Sequence, residues 1–174
     1  SWKRYDADWR ESTYKNYFWM VPYDLQGLID SIGGKEAAEK RLDEMFRRLD
    51  ASYGDEWFAS GNEPSFQIPW IYNWAGAPYK AQQVIRRILN EQYSSRVNGL
   101  PGNDDLGSMG AWYVFASIGL FPEIPGVGGF SVNSPVFRKI VLHLPEGDVI
   151  IKGGDEKKEY IHSLSLDGKK MEGT

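Results

Sequence analysis

Apolar and polar positions follow two different patterns along this chain. Over 35–50, Ala38, Leu42, Met45, Phe46 and Leu49 recur at i, i+4, i+7, i+8 and i+11, the stripe of a helix with one dry side. Glu36 with Lys40, Asp43 with Arg47 and Glu44 with Arg48 then form i,i+4 pairs on its wet side. Over 78–93, Ala81, Val84, Ile85, Ile88 and Leu89 repeat the stripe, with Gln82, Gln83, Arg86, Arg87 and Asn90 outward and Pro78 at the start. Three other stretches read as dry helices: 25–32, stopped by Gly33-Gly34; 67–75, ended by Gly76; and 106–120, with Met109, Trp112, Tyr113, Val114, Phe115 and Ile118. A helix that is apolar all round is buried all round.

Dry and half-wet helices therefore alternate. Simple bundles make every helix one-sided, whereas two concentric rings require alternation, with 25–32, 67–75 and 106–120 inside and 35–50 and 78–93 outside. The predicted fold is mainly α, part of an (α/α)6 toroid. About three helical hairpins are present, half a ring. After Pro122 the character changes: Gly126, Gly128 and Gly129 break the chain, and 139–144, 149–151 and 160–166 alternate like strands, with Asp167-Gly168 as a hairpin turn. The expected division is 1–125 for the helical part and 126–174 for the antiparallel strands. His143 and His162 fall on those strands and read as packed or surface residues.

Composition narrows the partners. The 174 residues carry a net charge of −4 with no basic patch, which argues against nucleic acid and anionic membranes. No apolar run is long enough to span a bilayer. The lack of Cys excludes disulfides and thiolate zinc sites. The chain opens on Ser1 and reads as a piece of something longer, so its missing signal peptide says nothing of the parent. Seven Trp, ten Tyr and eight Phe are enough to line a sugar site as well as a core.

A toroid gathers the loops that enter its inner helices on one rim. The acids at those entries are Glu11, Glu63 and Asp105, 52 and 42 residues apart. Glu11 lies among Trp9, Tyr14, Tyr17, Phe18 and Trp19, an environment expected to desolvate it, raise its pKa and suit it to donating a proton. Asp105 follows the turn Pro101-Gly-Asn-Asp104 at a helix N-terminus, where it should stay ionised and suit a base. A plain N-cap is the competing explanation for an Asp there. Glu63, beside Asn62, makes an oxygen-rich corner of the kind hard cations such as Ca²⁺ favour, or else a solvated turn. Two carboxyls in unlike environments facing one cavity are the equipment of a glycosidase.

Three blocks make a resemblance specific: Glu11-Ser-Thr-Tyr-Lys-Asn-Tyr-Phe-Trp-Met-Val-Pro-Tyr-Asp24, Gly61-Asn-Glu-Pro64, and Gly99-Leu-Pro-Gly-Asn-Asp-Asp-Leu-Gly-Ser-Met-Gly-Ala-Trp-Tyr-Val114. In order and spacing they resemble glycoside hydrolase family 92, the calcium-dependent exo-acting α-mannosidases, over almost the whole chain to about Leu144. The resemblance implies an N-terminal β-sandwich and an (α/α)6 toroid, of which this chain is the C-terminal half. It implies inverting hydrolysis of terminal α-mannosides, α-1,2-linked in mannose-rich glycans, by an extracytoplasmic parent. By position Glu11 matches the general acid and Asp105 the general base, with Asn103 where some members carry a second Asp. Tyr17, Trp70 and Asp104 are assigned to the sugar, and Glu63 with Asn62 to Ca²⁺, which would grip the 2- and 3-hydroxyls.

One departure stands beside the acid. The family commonly reads Glu-Gly-Asn-x-Trp-Gln-Tyr, whereas this chain keeps only the acid and Tyr17 and replaces the Gly, Trp and Gln. Those positions adjoin the leaving group, so linkage preference is open. The competing readings are a non-catalytic carbohydrate-binding or structural domain from a degenerate toroid, and a toroidal glycosidase acting on glucosides. Neither calls for an acid at all three entries within these three blocks. Half a ring exposes its inner helices, so the isolated chain is expected to be inactive and to associate with the rest of its parent or another copy.

Overall fold

The structure, a computed structural model, describes residues 9–172, so the outermost residues of both expected segments fall outside it. Helix α1 (Tyr14–Tyr17) leads through a 3-10 turn into α2 (Leu25–Ser31), where the Asp24 carboxylate accepts from Gly27 N at 3.0 Å and caps the helix. Helix α3 (Lys35–Met45) follows. Two 3-10 turns, Glu63–Ser65 and Ile68–Trp70, then lead into α4 (Ile71–Trp74), α5 (Pro78–Glu91) and α6 (Ser108–Ile118). The strands pair in sequence as antiparallel ribbons: β1 (Leu120–Phe121) with β2 (Ser131–Val132), β3 (Lys139–Leu144) with β4 (Gly147–Lys152), and β5 (Leu164–Leu166) with β6 (Lys169–Met171). The fold is mainly helical with C-terminal antiparallel strands, as the pattern predicts. Asp167 and Gly168 both have positive φ, the geometry of a tight hairpin. α1 and the β1–β2 pair were not predicted.

Several local expectations are corrected. The stretch 67–75 is a 3-10 turn followed by one turn of α-helix, with Pro69 in the first turn, where its missing amide costs no ladder bond. α2 is not dry: Leu25 and Ile29 are buried, while Gln26, Asp30 and Ser31 face outward. α6 is less exposed than 35–50, as predicted, but Ala111, Tyr113 and Val114 open one flank of it. On α3, Asp43 does not pair with Arg47. Lys80 of α5 bridges Asp43 and Glu39 at 2.6 and 2.7 Å, and Tyr72 donates to Asp43 at 2.9 Å. That face of α3 joins two helices instead of being merely solvated.

The core runs from Trp19, Leu25 and Ile29 through Leu42 and Phe46 to Ile85, Ile88 and Trp112. At its centre Trp70 is fully buried, stacked on Phe121 at 3.9 Å and edge-on to Trp112. Its indole nitrogen donates to Asn133 Oδ1, and Asn133 Nδ2 donates in turn to the Ala116 carbonyl at 2.9 Å. One asparagine thus ties the 3-10 turn, the end of α6 and the segment after β2.

Gln82 and Arg86 were expected to point outward from α5 but are buried. The cover is the segment 134–161. Gln82 Oε1 accepts from Ile161 N at 2.7 Å. The Arg86 guanidinium donates to the carbonyls of Ser134, Pro135, Asp155, Glu156 and Lys158 at 3.1–3.4 Å. Burial lowers the Arg86 pKa, though an arginine stays charged. Five carbonyl dipoles hold a cation that no carboxylate among the described residues contacts directly. Arg86→Ala should destabilise the protein by at least about 2 kcal/mol, since buried acceptors lose their donor. Arg86→Lys should not rescue it, because an ammonium cannot fork to five acceptors. Urea unfolding followed by tryptophan fluorescence, with limited proteolysis of the C-terminal segment, checks both.

Candidate active site

Helix α1 is pinned to the residues flanking the second block. Its buried Asn16 donates to the Trp57 carbonyl at 3.2 Å and accepts from Ser65 Oγ at 3.0 Å, while Lys15 pairs with Glu56 at 2.7 Å. Just before it, the Asn62 side chain donates to the Glu11 carbonyl at 2.6 Å. Gly61 lies flat against Pro101 and Gly102, so closely that a Cβ on Gly61 or Gly102 would overlap the other's backbone. The three blocks therefore meet along one edge: the Glu11 loop bonds to Asn62, and the loop before Asp105 packs on Gly61.

Backbone strain marks the same loops. Among the described residues, the non-glycine positions with positive φ are Glu11 (+55°), Asp105 (+45°), Leu106 (+60°) and the hairpin Asp167. Such conformations cost about 1–3 kcal/mol each and gather at functional sites. Both acids singled out for catalysis are in this set.

Each predicted residue can now be placed. Glu11 is not desolvated. Its side chain is 52% exposed and its ion-pair contact is with exposed Arg10 at 3.9 Å, because the neighbouring rings pack elsewhere: Trp19 in the core, Tyr17 on Trp9. Tyr17 donates its hydroxyl to the Arg10 carbonyl at 2.7 Å. Asp104 is the acid that caps α6, accepting from Gly110 N at 3.1 Å, while its own carbonyl accepts from Ser108 Oγ and Met109 N. The Asp105 carboxylate makes no hydrogen bond or ion pair among the described residues, and Asn103, Asp105 and Glu63 are all exposed. Trp70, assigned to the sugar, is buried in the core and reaches no surface.

The oxygen-rich corner supplies the donor chemistry a hard cation needs, but only part of the number. Glu63 offers a carboxylate and Asn62 an amide oxygen, its nitrogen already bonded to Glu11. No group of three or more His, Cys, Asp or Glu side chains able to hold a metal occurs among the described residues. Ca²⁺ takes six to eight oxygens, so water, sugar or other chain must supply the rest.

A further acid escaped the sequence reading. Glu123 is 5% exposed and accepts from Trp74 Nε1 and Ser131 Oγ, and burial pushes its pKa up. It lines a cleft of about 470 Å³ with Asn73 and Trp74 at the end of α4, a lining that includes none of Glu11, Glu63 and Asp105.

The division between Asp104 and Asp105 can be measured in the full-length protein. Asp104→Ala should cost about 1 kcal/mol, the worth of a helix cap. Asp105→Gly should leave stability unchanged or raise it by about 1 kcal/mol, since glycine adopts φ +45° without strain. Thermal unfolding of the two variants side by side tests this; equal destabilisation would make Asp105 a structural residue.

The family model described as the glycosyl hydrolase family 92 catalytic domain matches residues 1–174. A protein of Arthroderma benhamiae named an uncharacterized secreted glycosidase is 31% identical over 169 residues, 91% of this chain and 21% of its own length. A family GH92 α-mannosidase of Bacteroides thetaiotaomicron, solved in complex with mannoimidazole, superposes with a TM-score of 0.86 at 32% identity, over 98% of this chain and 25% of that one. A second enzyme of that bacterium, named a family GH92 inverting mannosidase, gives 0.83 at 30% identity, over 97% and 26%. The chain thus spans about a fifth to a quarter of these relatives. No helix among the described residues is long and apolar enough to cross a membrane. The match over the full chain, with three blocks meeting at one edge, places this chain in glycoside hydrolase family 92, as part of its catalytic domain.

Proposed function

We propose that the full-length protein to which this chain contributes is an exo-acting α-mannosidase. It removes terminal mannose, α-1,2-linked in mannose-rich glycans, by single-step hydrolysis with inversion outside the cytoplasm. The observation that carries this reading is the convergence of the loops holding Glu11, Glu63 and Asp105, with Glu11 and Asp105 both at strained positive φ. Relatives named an α-mannosidase, an inverting mannosidase and a secreted glycosidase support the substrate class, the stereochemistry and the location.

Glu11 protonates the leaving oxygen. Asp105, whose carboxylate has no partner among the described residues, takes the proton from the attacking water, with Asn103 and Asp104 beside it at the sugar. Inversion needs the two carboxyls about 6.5–9.5 Å apart, to admit that water. Glu63 and Asn62 would help hold Ca²⁺, which would supply a hard Lewis acid to the sugar's hydroxyls. The open flank of α6 at Tyr113 and Val114 is where the remainder of an (α/α)6 ring packs, so the isolated chain is inactive.

In the full-length protein, Glu11→Gln should slow unactivated mannosides by about 10²–10⁴-fold and partly spare an activated aryl mannoside, which needs little proton donation. Asp105→Asn should slow both alike. Equal slowing of both substrates by Glu11→Gln, or a covalent glycosyl-enzyme on either carboxylate, overturns the assignment. Chelation by EGTA should abolish activity and excess calcium restore it, with Glu63→Gln weakening calcium binding in direct titration. A panel of α-mannoside linkages tests the α-1,2 preference.

A further inference from the structure

We infer that Tyr17 and Asn62 are positioning residues for Glu11, a two-point clasp on the backbone that aims its carboxyl. The inference rests on the reading of Glu11 as proton donor, and it moves Tyr17 away from direct sugar contact. Among the described residues, little else is available to aim that carboxyl. The Glu11 side chain is half exposed, and its contact with Arg10 at 3.9 Å is a solvent-screened pair of small worth. Its direction is therefore set by the main chain, which stands at φ +55°, a conformation costing about 1–3 kcal/mol unless the surroundings impose it.

Among the described residues, two hydrogen bonds reach that stretch of backbone. The Tyr17 hydroxyl donates to the Arg10 carbonyl at 2.7 Å, and Asn62 Nδ2 donates to the Glu11 carbonyl at 2.6 Å. Consecutive carbonyls are thus held by two side chains that are themselves fixed. Tyr17 is stacked on Trp9, with ring centroids 5.4 Å apart, and Asn62 is 3% exposed. Asn62 also follows Gly61, whose backbone lies against Pro101 and Gly102 at the head of the Asp105 loop. Two successive residues therefore connect the base loop to the acid's own carbonyl, and Asn62 helps set the spacing between the two carboxyls. A misplacement of about 1 Å at a reacting group can cost on the order of 10²-fold in rate.

The test uses the full-length protein, with methyl α-mannoside as the unactivated substrate and 2,4-dinitrophenyl α-mannoside as the activated one. Glu11→Gln serves as the reference. Tyr17→Phe deletes one oxygen and keeps the ring stacked; Asn62→Leu removes the donor at similar volume. Each should lower kcat on the methyl mannoside by about tenfold or more with KM little changed, and lower the activated substrate by less than about threefold. Tyr17→Phe, the milder change, decides the matter should Asn62→Leu fail to fold. A rise in KM on both substrates means the side chain touches the sugar and overturns the clasp, as does an unchanged kcat on the methyl mannoside. So does a loss in Asn62→Leu that excess calcium fully restores, since that marks Asn62 as a ligand only. If Glu11→Gln itself shows no dependence on the leaving group, the assignment of the acid has failed, a result separable from failure of the clasp alone.

Discussion

The constraint on which the candidate site depends is the contact of two backbones at Gly61 and Gly102, where neither residue has room for a side chain. Because those segments touch, the second and third blocks share an edge, and Asn62, one residue on, is brought within 2.6 Å of the Glu11 carbonyl. The strained conformations at Glu11, Asp105 and Leu106 all belong to loops leading into or out of this contact. Together they store several kcal/mol, against a typical net stability of about 5–15 kcal/mol for a domain. Such strain persists only on a support that does not yield. That support is the aromatic core beneath, where Trp70, Trp112 and Phe121 pack and Asn133 joins three segments.

The cap of α6 is the work of Asp104 and not of its neighbour Asp105. Asp104 stands outside the formal cap position, yet its carboxylate takes the open amide of Gly110. Asp105 is left with a free carboxylate and a backbone no L-residue prefers. A helix-start acid kept in strain and given no structural task is the pattern expected of a group reserved for a substrate. The same contrast separates Asn62, buried and bonded, from exposed Glu63 beside it.

What could be read from the sequence was what depends on local periodicity. The stripe Ala81, Val84, Ile85, Ile88 and Leu89 specifies the buried side of α5 by itself, and Asp167-Gly168 encodes its own turn. The outward assignment of Gln82 and Arg86 failed because their cover is a segment 48–79 residues further on. Trp70 failed for a related reason: an indole suits a sugar and a core equally, and only Phe121 and Asn133, distant in sequence, decide for the core. The candidates for the site were legible through the blocks. Their surroundings were not, because Glu11 is flanked by aromatics in sequence whose rings turn to other partners in space.

Arg86 places a condition on how the protein is made. Its five carbonyl partners are encoded 48–72 residues downstream, so the guanidinium is synthesised before any of them exists. At translation rates of about 5–20 residues per second, that interval is roughly 2–15 seconds. During it, α5 carries a cation on a side it must later bury, and water is the only ligand at hand. The arginine thereby keeps that side of α5 hydrated until the C-terminal segment arrives and its carbonyls replace the water.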